Sequence, residues 1–292
     1  MVAPPAAAGA AGRARRGGCG ILGLVGTPGY SAYDVPAYIG ALRREGELLA
    51  GAAERAGMSA AVPACPGWRV ADLLRHTSYV HRWAAGFVAQ RLTEPVDEPP
   101  EEEILQQGPG DESLVGWFRE GHAALVRTLS EASPDVDCWT FLSAPSPLAF
   151  WARRQAHETA IHRVDAEQAA AGAGRSADGP RFEPAFAANG VDELLMGFLA
   201  RNVGRESWPG LGGDLALHAD DGPGARADWL VGGRPGAAGV SRGNGPADCA
   251  VTGRARELYL LLWNRGPADG LQVTGDPRVL AAFGRTVAVT WS

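Results

Sequence analysis

The chain contains no lysine: all 27 of its basic side chains other than histidine are arginine. They are spread along the sequence, and the net charge is -6. No basic stripe of the kind that tracks a phosphate backbone is present, so nucleic acid is excluded as a partner. With 40 glycines, the missing lysine reads as a base bias of the gene and carries no function. Long apolar runs are missing too. One of the longest, Leu258 to Trp263, is about a third of the roughly 20 residues a membrane-spanning helix needs, so no membrane association is expected. Cysteine is scarce: Cys19, Cys65, Cys138 and Cys249 share no short spacing, which excludes a CxxC metal knuckle or redox pair. Reduced thiols and a cytoplasmic location are the simple reading. The apolar run Ile21 to Val25 after an arginine cluster is too short for a secretory signal.

What is present can bury a large core. A chain of 292 residues with 46% hydrophobic content is expected to form two domains. Residues 1–33, rich in Ala, Gly, Pro and Arg, lack periodicity and are expected to form a disordered tail. Helical spacing of Tyr38, Leu42, Leu49 and Ala53 predicts a first helix after Asp34 and Pro36, ending at Gly57. The turn-rich VPACPGW stretch, Val62 to Trp68, precedes a second helix from Val70 to about Leu92, whose apolar face is centred on His76. His81 lies about 140° round that helix and is read as peripheral. Residues 93–112 carry Glu94, Asp97, Glu98 and Glu101 to Glu103 among prolines and are read as a solvated connection, not a cation site. A third helix is expected from Asp111 to Ala132, with His122 at best on its rim, and a fourth from Leu148 to Ala171.

Four helices in this order define a bundle spanning residues 34–174. Gly172 to Pro180 is small and polar, a natural linker, and the pattern then changes. A helix from Pro184 to Asn202, strands at 214–219, 227–231, 248–252 and 271–274, and helices at 254–265 and after Asp276–Pro277 predict a smaller α+β C-terminal domain over 181–292.

The chemistry is concentrated in the fourth helix, at WARRQAHETAIHRVDAE, Trp151 to Glu167. At about 100° per residue, Arg154, Glu158, His162 and Asp165 fall within roughly 80° of one another beside the apolar stripe. A carboxylate and an imidazole one turn apart there point to a metal or proton-transfer site; the alternative is a solvated face of i,i+4 ion pairs. HETAIH is not a zinc-protease helix, which needs histidines at i and i+4: His157 and His162 are five apart, whereas Glu158 and His162 are four apart. Bundles build metal sites from facing helices, so the inward His76 and the Glu158–His162 pair make a three-ligand site. Arg154 is a candidate anchor for a substrate carboxylate, against a salt bridge to Glu158 or Asp165. Asp165 is a candidate for orienting His162 or another ligand, against a surface acid.

Three stretches together resemble the mycothiol-dependent maleylpyruvate isomerase family: VPACPGWRVADLLRHTSYVHRW (Val62 to Trp83), AHETAIHRVDAE (Ala156 to Glu167), and ADCAVTGRARELYLLLW (Ala247 to Trp263) with LQVTGDPRVL (Leu271 to Leu280). The resemblance implies a DinB-like metal-binding four-helix bundle followed by the family's C-terminal domain. It implies His76, Glu158 and His162 as ligands of zinc or another divalent metal, and mycothiol as the thiol cofactor. No motif of comparable specificity identifies the substrate.

Two imidazoles and one carboxylate leave a zinc coordination position open, the pattern of a catalytic site. By the resemblance, a small thiol would bind there and ionise, and its thiolate would add to a conjugated double bond that rotates before the thiol leaves, which would make the protein a cis–trans isomerase, or an S-transferase on another electrophile. Two alternatives stay open at this point, a hydrolase using zinc-bound water and a non-catalytic protein that binds a metal and a small ligand.

Overall fold

The computed structural model describes residues 29–287 except 31, 173, 175–179, 204–207 and 235–238. Most of the expected tail and of the 172–180 linker therefore lies outside the described residues. Tyr30 and Tyr33, at the end of the expected tail, are held in place: their hydroxyls donate to Asp221 and Glu183.

Helix α1 (Val35–Ala56) starts where Asp34 accepts from the Ala37 amide with Pro36 in the first turn, the usual chemistry of an N-terminus. Helix α2 (Val70–Gln90) follows the VPACPGW turn, α4 (Leu114–Glu131) is the third long helix, and α5 (Pro147–Gly172) the fourth. The connection between α2 and α4 holds a short helix, α3 (Glu101–Ile104), where the sequence predicts only a solvated loop. Three acids in the first turn favour the start of a helix, Ile104 is buried, and α3 packs against α2.

Helix α5 is not the half-exposed helix its charges predict. From Leu148 to Asp165 every residue but Arg153 is buried, because α1 and α2 cover one side and the C-terminal domain covers the other. The acids, bases and histidines of α5 are therefore core residues, not a solvated face.

The C-terminal part opens with α6 (Pro184–Asp192), which runs on as a π-helical segment, Glu193–Phe198, and a 3-10 turn, Leu199–Arg201. π-helical insertions recur at functional positions. A five-stranded sheet follows, formed by β1 (Leu215–Asp220), β2 (Arg226–Gly232), β3 (Gly239–Arg242), β4 (Cys249–Gly253) and β5 (Gln272–Gly275) in the order β3-β2-β1-β4-β5. Strands β1 and β4 are parallel and the other neighbours antiparallel. The short strand β3 has no counterpart in the sequence reading, being four largely polar residues. Helices α7 (Ala255–Leu262) and α8 (Pro277–Thr286) complete the domain. Leu217, Trp229 and Val251 form one row across the sheet, inside a hydrophobic cluster that continues through α6 into Phe150, Trp151 and Ile161 of α5. Among the described residues no helix is long and apolar enough to cross a membrane.

Candidate metal centre

His76 on α2 faces Glu158 and His162 on α5. Helical spacing brings Glu158 and His162 onto one face, and His162 Nε2 lies 3.1 Å from Glu158 Oε1. His76 Nε2 lies 3.6 Å from the same oxygen. Ligand atoms about 2.1 Å from a tetrahedral ion stand roughly 3.4 Å apart, so these two separations suit one divalent cation. The three side chains offer donor atoms all within 4.8 Å of one another and are only 4%, 3% and 0% exposed. Two imidazoles and a carboxylate form a borderline-soft donor set that suits zinc. Among the described residues this is the one such group of His, Cys, Asp and Glu.

Each histidine turns its Nε2 toward Glu158 and its Nδ1 toward another carboxylate. His162 Nδ1 is 2.9 Å from Asp165 Oδ2, and His76 Nδ1 is 3.1 Å from Glu101 Oε1. Asp165 is held in turn by Arg265, whose Nε and Nη2 donate to its two oxygens at 2.9 and 3.1 Å. Arg265 follows α7, so the C-terminal domain reaches into the bundle at this point. The Trp68 ring packs 5.0 Å from His76 and 6.5 Å from His162, which places an apolar wall beside the donors. Cys65 Sγ lies 3.8 Å from Asp165 Oδ2, and burial followed by the Asp165 charge pushes its thiol up to about 12. Cys65 is therefore an inert neutral thiol.

Arg154 sits between two carboxylates. Its Nη2 donates to Glu158 Oε2 at 2.6 Å and its Nη1 to Glu193 on the π-helical segment. Phe198 and Trp263 rings flank the guanidinium at 5.2 and 5.4 Å. The structure thus gives Arg154 the salt bridge to Glu158 that the sequence offers as the alternative to substrate anchoring. It gives Asp165 a buried contact with His162, not a surface position.

These contacts set the protonation of the site. Burial works against the Glu158 charge, but Arg154, His162 and His76 outweigh it and hold the carboxyl well below its usual range. Burial likewise opposes charge on His162, and the Asp165 and Glu158 carboxylates overcome it, raising the ring to about 9. Glu193 moves the other way: burial raises it to about 7, against the pull of Arg154 and Arg153.

The remaining histidines separate from this cluster. His157 spans to the C-terminal domain, 3.1 Å from the Tyr259 hydroxyl and 3.0 Å from Asn189 Oδ1. His81 is buried, not peripheral, with Nε2 2.9 Å from Thr159 Oγ1, and burial keeps it neutral. His122 is buried as well, where the sequence predicts a rim position: its Nε2 meets the Leu42 carbonyl at 3.0 Å. Gly46 explains this, since a Cβ there would overlap the His122 ring. A glycine inside a strongly helical pattern was the available signal.

The fold and the site together define a helical bundle with a buried His–Glu–His cluster, covered on one side by an α+β part. Residues 39–167 match the mycothiol maleylpyruvate isomerase N-terminal domain, and residues 185–282 match the C-terminal domain of the same proteins. The chain belongs to the mycothiol maleylpyruvate isomerase family. Two solved structures share its fold: a mycothiol-dependent maleylpyruvate isomerase, 14% identical with a TM-score of 0.58, and a histidine-to-alanine mutant of that enzyme, 15% identical with a TM-score of 0.57. Each comparison covers 83% of this chain and 93% of the other. No curated protein matches the sequence.

Proposed function

We propose that the protein is a metal- and mycothiol-dependent isomerase or S-transferase of the cytoplasm, acting on a small electrophile such as maleylpyruvate, with zinc or another divalent metal held by His76, Glu158 and His162. The observation that carries this reading is the convergence of those three buried donors, in a chain whose two parts match the two domains of the family. A divalent cation held there supplies the positive charge that favours thiolate over thiol at neutral pH.

The chain's own residues do the rest. Glu158 carries a fixed negative charge because Arg154 neutralises it from behind. Asp165, clamped by Arg265, accepts from His162 Nδ1 and so directs the lone pair of Nε2 inward. Trp68 keeps water off one side of the donors. In this reading the two domains, 34–174 and 181–292, divide the work: the bundle provides the donors and the C-terminal domain fixes their charge state through Arg265 and Glu193.

The test is turnover of a cis-configured unsaturated keto acid by the metal-loaded protein. Turnover that requires both the metal and a low-molecular-weight thiol supports the proposal. Metal-dependent turnover that is indifferent to the thiol moves the site to hydrolysis by metal-bound water.

A further inference from the structure

His162 and His76 are oriented by different means. Asp165, which meets His162 Nδ1, is wholly buried and gripped by two bonds from Arg265. Glu101, which meets His76 Nδ1, stands on the four-residue helix α3 in the connection between α2 and α4. Of three consecutive glutamates, Glu101 is turned inward with its side chain 16% exposed, while Glu102 and Glu103 face solvent. Its second oxygen, Oε2, is buried without a hydrogen-bond partner among the described residues. Pro100 stands at the start of this helix, and Ile104, three residues after Glu101, is buried.

For Nε2 of His76 to act as a ligand, its lone pair must be free and the ring proton must sit on Nδ1. A carboxylate 3.1 Å from Nδ1 accepts that proton and fixes both tautomer and ring plane, the arrangement that second-shell carboxylates impose on metal-bound histidines. We infer that Glu101 is a positioning residue for His76, so that the acidic connection between α2 and α4 governs how tightly the site holds its metal. His162 is oriented by a rigid interdomain contact; His76 is oriented by one side chain on a short surface helix. This inference rests on the metal-site reading above.

The experiment is zinc titration of the full-length chain against a chromophoric chelator, comparing wild type with Glu101→Ala, Glu101→Gln and Glu102→Ala, with helical content checked by circular dichroism. Glu101→Ala should weaken zinc binding about 10–100-fold. Glu101→Gln, whose amide oxygen still accepts from Nδ1, should recover most of that loss, and Glu102→Ala should bind as wild type. Equal affinity in Glu101→Ala and wild type overturns the inference. So does an equal loss in Glu101→Ala and Glu102→Ala, which would mean that loop charge alone attracts the ion. If wild type itself takes up no metal, the metal-site reading fails and the inference with it, a result distinct from either of those.

Discussion

Arg265 of the C-terminal domain grips Asp165 of the bundle with both side chains fully buried and Nε to Oδ1 at 2.9 Å. Asp165 in turn meets His162 Nδ1 at 2.9 Å, so a contact between domains ends on a donor of the site. Removing one member of a buried pair strands the other charge. Arg265→Ala should therefore destabilise the protein by about 3–5 kcal/mol and weaken metal binding about 10–100-fold. Chemical denaturation and chelator competition measure the two effects. A variant with wild-type metal affinity would separate Arg265 from the site.

Replacing His76 by Ala removes one of three donors and leaves the helix intact. Metal content after gel filtration should fall from stoichiometric to near zero, with helical content by circular dichroism unchanged. If elemental analysis finds a full equivalent of metal in the purified variant, His76 is not a ligand.

His157 is the counter-case within the same sequence motif. It bonds Tyr259 and Asn189, not Glu158, so His157→Ala should retain a full equivalent of metal. It should lose about 1–3 kcal/mol of stability by leaving buried partners unsatisfied. Thermal melting and elemental analysis on one preparation check both halves, and loss of metal at unchanged stability would contradict the assignment.

Glu193 predicts a pH dependence. Burial raises its carboxyl from 4.5 to about 7 against the pull of Arg154 and Arg153. Between those values the folded protein binds a proton that the unfolded chain does not, so this contribution is fully present below about 4.5 and is lost as pH rises through about 7. The loss is on the order of 3 kcal/mol. Denaturation of metal-free wild type and Glu193→Gln at several pH values should differ by this downward slope, the stability of wild type relative to the variant falling as pH rises. An unchanged slope in Glu193→Gln would place the titration elsewhere.

That His76, Glu158 and His162 come together was legible because it depends on one helical period: Glu158 and His162 share a face four residues apart, and His76 centres the apolar face of α2. The four long helices were legible for the same reason, with the ends of the first marked by Pro36 and Gly57. Asp165 beside His162 was legible as well, since the two lie three residues apart on one helix; what holds these groups from outside α5 was not. Arg265 meets Asp165 across 100 residues of sequence and Glu193 meets Arg154 across 39, separations that no local pattern encodes. Glu101 was hidden among identical neighbours, since three consecutive glutamates give no sign of which one turns inward. The burial of α5 was hidden because its second cover comes from another domain, and a charged helix enclosed on both sides has the same sequence pattern as one that faces water.

On the proposed function, His76, Glu158 and His162 hold a divalent metal with a position open to a small thiol. Titrating mycothiol into the cobalt-substituted protein while recording the visible and near-ultraviolet spectrum tests it most directly. One equivalent of cobalt should bind, and added thiol should produce a saturable thiolate-to-cobalt charge-transfer band that is absent in His76→Ala. Bound cobalt whose spectrum is indifferent to the thiol, or a wild-type protein that takes up no cobalt, would contradict the account.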